Sequence, residues 1–109
     1  MKSLVVLAMA VTLVGVVAPV VARAAAEERT VDIEDLKYKP VEIKIKVGET
    51  VAWTNNDDRE HTITADDNSF KSGPLRTGKT YRHKFTSAGR YPYHDDHFGR
   101  MKGVVVVEK

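Results

Sequence analysis

The chain has 109 residues, no cysteine, and 17 basic against 15 acidic residues, for a formal net charge of +2. A length of this order leaves room for one domain, whose core gets no help from disulfides. No basic patch argues for nucleic acid, and no acidic tail marks an interaction arm.

The first stretch reads as a targeting segment rather than as part of the domain. Met1-Lys2-Ser3 is short and positive, Leu4 to Val21 is almost unbroken apolar, and Ala22, Ala24, Ala25 and Ala26 precede Glu27-Glu28. That order is a secretory signal peptide, with cleavage expected after Ala24 or as late as Ala26. An uncleaved anchor is the competing reading, since the run is nearly long enough to span a bilayer; the small-residue exit favours cleavage. Residues 25–109 then form the domain. Loss of Lys2 and Arg23 leaves that domain formally neutral, so the high pI belongs to the precursor.

Further along, the pattern is strands and turns. Val41, Ile43, Ile45 and Val47 alternate with Glu42, Lys44 and Lys46, the period-two signature of a half-buried strand. Gly48-Glu49-Thr50 turns the chain into a second strand at Val51-Ala52-Trp53-Thr54. After the polar loop from Asn55 to Glu60, His61-Thr62-Ile63-Thr64 reads as a short strand. Tyr81, His83 and Phe85 alternate with Arg82 and Lys84; a strand follows at Tyr91-Pro92-Tyr93, and Val104 to Val107 closes the chain as a buried strand. Short strands with frequent turns and no helical period predict an antiparallel sandwich or barrel. His83 is expected to face the core, and the acidic pairs Asp57-Asp58 and Asp66-Asp67 to be solvated loops.

Gly73-Pro74-Leu75-Arg76-Thr77-Gly78-Lys79-Thr80 matches the phosphate-binding pattern G-x-x-x-x-G-K-[ST] letter for letter. That loop works only between a strand and a helix N-terminus, where backbone amides converge on the phosphates. Tyr81 to Phe85 reads as a strand, so the match is taken as coincidence.

Metal-competent side chains concentrate in two places. His61 follows a polar loop, and His94-Asp95-Asp96-His97-Phe98-Gly99-Arg100-Met101 sets two imidazoles, two carboxylates and a thioether just before the last strand. Imidazole suits copper, zinc and nickel, and a thioether leans towards copper. The alternative is a solvated polar loop with Met101 as core filler.

From Val31 onward the chain resembles the cupredoxins, closest to the amicyanin and plastocyanin-like branch. The resemblance lies in Pro40 with Val41 to Val47, Gly48 to Asn55, His61-Thr62-Ile63, Tyr81 and Phe85, Gly89 to His94, and Met101-Lys102-Gly103 leading into Val104 to Val107. It implies an all-β, Greek-key β-sandwich with one copper ion at one end, His61 as the upstream ligand, and Asn55 bracing the ligand loop through hydrogen bonds. One departure matters. The family's loop runs cysteine, two residues, histidine, two residues, methionine. Here Asp95 stands at the cysteine position, the histidine comes one residue early at His97, and Met101 follows after three residues. Either Asp95 or His94 then completes a site with His61, His97 and Met101, His94 requiring the strand end to rotate. Without a thiolate the centre cannot be blue.

The resemblance implies a periplasmic, monomeric electron-transfer protein that is not an enzyme and docks a redox protein partner, with Phe98 as an apolar contact beside the site. No membrane association is expected after cleavage. Competing readings are a copper carrier or scavenger, a metal-free interaction module and, last, a small redox enzyme.

Overall fold

The computed structural model describes residues 27–109; the expected signal peptide, residues 1–24, lies outside them. Eight strands form: β1 (Glu28–Glu34), β2 (Lys37–Lys39), β3 (Glu42–Lys46), β4 (Thr50–Asn55), β5 (Thr64–Ala65), β6 (Thr80–Lys84), β7 (Gly89–His94) and β8 (Lys102–Glu108). They make two four-stranded sheets, ordered β2-β1-β4-β6 and β3-β8-β7-β5. The chain passes back and forth between the layers, as a Greek-key sandwich requires, and all-β is the class the alternation predicts.

The sheets are mixed rather than purely antiparallel. β1 runs parallel to β4, with Val31 opposite Trp53, and β3 runs parallel to β8, with Ile43 opposite Val105. Each parallel pair joins strands that are separated by a crossover through the other sheet, which a hairpin cannot supply. Alternation is clearest in β1, where Val31 and Ile33 point inward and their neighbours lie exposed. Of the four apolar positions in and around β3 only Ile45 is fully buried, with Val41 and Val47 exposed, because β3 is an edge strand. His61 to Ile63 is not a strand but a single antiparallel bridge from His61 to Leu75, and the β-structure resumes at Thr64. Thr80 opens strand β6, so no helix follows the glycine-rich turn at 73–79 and the phosphate-loop reading has no structural context.

Aromatic side chains fill the space between the layers. Tyr93 on β7 meets Tyr38 edge-on at 4.7 Å and Trp53 edge-on at 5.4 Å, a geometry the ring quadrupoles favour. Its ring lies directly over Gly103 on β8, where a Cβ would come within 2.5 Å of the ring carbon and hydroxyl. Glycine is therefore demanded by close approach at that position, and it sets the height at which β7 delivers the residues after it. Burial pushes the Tyr93 phenol up to about 12 and raises that of Tyr38 further, with the Asp95 carboxylate adding to the latter. His83 lies half-buried against Phe70 and Phe85, and burial lowers its pKa.

Candidate metal centre

Four segments meet at one end of the sandwich: the turn between β1 and β2, the loop after β4, the bridge segment at His61, and the loop from Asp95 to Met101. Asn55, fully buried at the end of β4, holds the second of these. Its amide donates to the carbonyls of Arg59 at 2.8 Å and Leu75 at 2.9 Å, and its carbonyl accepts from Asp57 N. Asn55 thus holds the loop before His61 and the segment at Leu75, and none of these hydrogen bonds reaches the loop from Asp95 to Met101 that it was expected to brace.

His61 has no exposed surface, and each ring nitrogen faces a carboxylate. Nδ1 is 2.8 Å from Asp95 Oδ2, and Nε2 is 2.8 Å from Asp57 Oδ2. Asp57 is thus no solvated loop residue. Besides the imidazole it accepts the Leu36 amide at 3.1 Å, and its hydrogen bond to His61 draws its pKa below the usual carboxylate value. A carboxylate on the far nitrogen is how metal-ligating histidines are commonly oriented, leaving the near nitrogen for the ion.

Asp95 is 1% exposed, and both its oxygens are held. Oδ1 accepts the amides of His97 at 2.7 Å and Phe98 at 3.1 Å; Oδ2 accepts that of Thr62 at 3.1 Å. Three N–H groups compensate much of the cost of burying the charge. Loop closure follows from Asp95 N donating to Met101 O at 3.1 Å and Met101 N to Phe98 O at 2.8 Å.

The other expected donors are dispersed. Met101 is buried in the core cluster at the base of the loop. His97 is exposed at the loop tip. His94 is occupied elsewhere, with Nδ1 2.6 Å from Asp66 and Nε2 3.4 Å from Asp96. At the place that the family spacing gives to histidine stands Phe98, its ring 5.7 Å from that of His61, with the Arg59 guanidinium 5.5 Å from the Phe98 centroid. Beside it a groove of about 480 Å³ separates Phe98, Arg100 and Met101 from Leu36 and Lys37. Sequence reasoning missed Asp57 and Thr62, since neither carries any pattern; the loop order alone places Phe98 three residues after Asp95.

The donor chemistry decides what the site could take. Among the described residues no three imidazole, thiol or carboxylate side chains converge on one point. The preformed set is the His61–Asp95 pair. Their 2.8 Å separation is that of a hydrogen bond, which already occupies the facing atoms of both side chains. An imidazole and a carboxylate are ligand types that suit Cu(II) or Zn(II), but two donors bonded to each other do not by themselves make an ion site.

A family described as the cupredoxin-like domain matches residues 4–107. The chain belongs to the cupredoxin family. Among its cupredoxin relatives, amicyanin-alpha of Methylorubrum extorquens is 37% identical over 98 residues, covering 81% of this chain and 78% of that protein. Plastocyanin of Scenedesmus fuscus is 35% identical over 86 residues, covering 67% of this chain and 88% of that one. In three dimensions the chain is similar to a purple cupredoxin from Nitrosopumilus maritimus, with TM-score 0.71, 31% identity, and coverage of 73% and 99%. Against that cupredoxin background the absence of any cysteine stands out.

Proposed function

We propose that this protein is an exported, periplasmic cupredoxin that binds one copper ion in a thiolate-free, non-blue site and transfers electrons. The observation that carries the reading is the buried pair of His61 Nδ1 and Asp95 Oδ2, 2.8 Å apart at the ligand positions that the resemblance assigns. Copper held there would supply a one-electron couple between Cu(II) and Cu(I). His61 and Asp95 would be its protein ligands once their mutual hydrogen bond opens, with Met101 at the base of the loop and the exposed His97 at its tip. Electron transfer is favoured by donors that do not move. Asp57 locks the His61 ring, and three amides lock the Asp95 carboxylate. The groove at Phe98, Leu36 and Met101 offers the approach for a redox protein partner.

Copper titration with metal analysis, optical absorption and EPR tests this. One tightly held Cu(II) with weak visible absorption and nitrogen hyperfine structure supports the reading, and an intense blue colour overturns it. Fast self-exchange of electrons supports transfer, whereas ready loss of copper to a chelator assigns copper carriage instead.

A second reading is a metal-free cupredoxin-fold interaction module. It is favoured by the fact that both His61 nitrogens already face carboxylates, so the hydrogen bonds of the cluster are satisfied without an ion. Failure to retain Cu(II) or Cu(I), with no effect of His61→Ala on metal content, selects it.

A further inference from the structure

Strand β3 has one unpaired side. It lies outermost in the order β3-β8-β7-β5 and runs parallel to β8. Val41 O accepts Val104 N and Val47 N donates to Glu108 O, each at 2.9 Å. Alternate residues of a strand turn their backbone groups to alternate sides. Ile43 and Ile45 therefore face β8 as Val41 and Val47 do, and Glu42, Lys44 and Lys46 direct N–H and C=O outward. Lys46 is closed off, because its N–H donates to Glu49 Oε1 at 2.8 Å and its carbonyl accepts Glu49 N at 3.0 Å. Among the described residues, Glu42 and Lys44 have no such cap, and both side chains lie exposed.

The chemistry of this edge limits what can occupy it. Lysine on an edge strand usually deters pairing, and Lys44 does so against a cationic neighbour. A second copy of β3, laid antiparallel about a two-fold axis through Ile43, brings different residues together. Glu42 then stands opposite Lys44 of the second copy, and Lys44 opposite its Glu42. The residues with free backbone groups are the ones that fall in hydrogen-bonded register, and each such pair exchanges two N–H···O bonds. Opposite charges face each other on the outer surface, and Ile43 meets Ile43 at the axis. Val41, which is 58% exposed, is set against Ile45 of the second copy. An axis at Glu42, Lys44 or Ile45 would instead set like charges against each other.

We propose that β3 is a self-complementary edge through which two copies of this chain pair, joining β3-β8-β7-β5 of each into one continuous eight-stranded sheet. Such a pair is isologous and closes on itself, so it stops at a dimer. A single strand pair is a small interface of the kind found in transient complexes, so the dimer forms in the micromolar to millimolar range. It departs from the monomer that the resemblance implies, and it does not depend on the copper reading. Glu42 lies beside Val104 at the start of β8, close to the candidate centre, so the antiparallel arrangement sends the two centres to opposite ends.

The protein, expressed from its complete sequence and purified as the cell processes it, is tested by sedimentation equilibrium and amide hydrogen exchange from micromolar to millimolar concentration. The weight-average mass should rise towards that of a dimer. Exchange at Glu42 and Lys44 should slow at least about twofold over the same range, with Lys46 unchanged because Glu49 already holds its amide. Lys44→Glu should weaken association at least about tenfold, and the double reversal Glu42→Lys, Lys44→Glu should restore it, since only the register about Ile43 pairs these positions. Lys44→Pro, which removes an outward N–H and no bond to β8, should abolish association. A chain that stays monomeric at millimolar concentration overturns the proposal. So does a dimer that leaves the Glu42 and Lys44 amides unchanged, withstands Lys44→Glu or is not rescued by the double reversal, because another face then makes the contact. Protection of those amides at every concentration also overturns it, and assigns the edge to a segment of the same chain.

Discussion

His61 and Asp95, 34 residues apart in the chain, meet with Nδ1 and Oδ2 2.8 Å from one another and with both side chains sealed from solvent. The contact joins the segment before β5 to the loop after β7, and everything at this end of the sandwich is arranged around it. Truncating either partner leaves a buried polar group unanswered, which is far costlier than losing a surface pair. Asp95→Ala should therefore lower stability by about 3–5 kcal/mol in urea unfolding, since three amides and an imidazole lose their acceptor together. A loss below about 1 kcal/mol would mean that water or loop movement replaces the carboxylate.

Restoring sulfur at the same place asks a chemical question. Asp95→Cys should bind Cu(II) with intense visible absorption, because thiolate-to-copper charge transfer is what colours the family's centres. His97 would have to turn inward, or Phe98 be changed to histidine, for the full set to close; the double variant Asp95→Cys, Phe98→His should hold copper more tightly than Asp95→Cys alone. Equal affinities would show that position 98 plays no part in ligation.

Asp57 acts on His61 from the far side. Asp57→Asn keeps the shape but offers the imidazole a weaker acceptor, so Cu(II) affinity should drop about 10- to 100-fold. Since the hydrogen bond lowers the pKa of Asp57 in the folded state, its contribution to stability is present above about pH 3.8, the unfolded value, and is lost as pH falls through the folded one. Acid unfolding below about pH 4 should accordingly be less steep in Asp57→Asn than in the wild type.

A second pH effect has a different window. Burial lowers the pKa of His83, so the unfolded chain takes up its proton more readily than the folded one. The His83 contribution is at its full value above about pH 6.5 and declines as pH falls through that value towards the folded pKa. In thermal melts between pH 8 and pH 5, His83→Phe should lose less stability than the wild type; parallel curves would contradict this.

The turn joining β1 to β2 stores strain. Asp35 and Leu36 both have positive φ, at 54° and 58°, as a two-residue type I′ hairpin demands, and leucine is a poor residue for that backbone. Leu36→Gly should raise stability by about 1 kcal/mol, or several degrees in melting temperature, while keeping the amide that donates to Asp57. By contrast Gly103→Ala should destabilise by about 1–3 kcal/mol, because its Cβ has to displace the Tyr93 ring from the packed core. If the alanine variant melts with the wild type, the close approach is easily relaxed.

Much of the fold was legible because alternation survives in a sandwich. β4, β6, β7 and β8 lie where apolar residues recur at every second position or in an unbroken run. The hairpin of β1 and β2 was harder to see, since β1 carries only two inward side chains and β2 is three residues long. His61 to Ile63 reads as a strand but makes only one bridge, because Leu75 reaches it from a loop. The parallel pairings have no local signal at all, as they depend on which layer each crossover enters.

By itself the sequence determined an all-β domain of this family, a loop of metal-competent side chains before the last strand, and the impossibility of a thiolate ligand. Only the tertiary structure decided which of those side chains meet. Asp95 turns inward to His61, Asp57 reaches the other face of the same ring, and His94 and His97 are directed to Asp66 and to solvent. The reason is physical. Strand residues alternate by the pleat and can be assigned a face from spacing, whereas a loop side chain points where its own backbone hydrogen bonds send it. In this loop those bonds come from Thr62, Phe98 and Met101, which only the folded chain brings together.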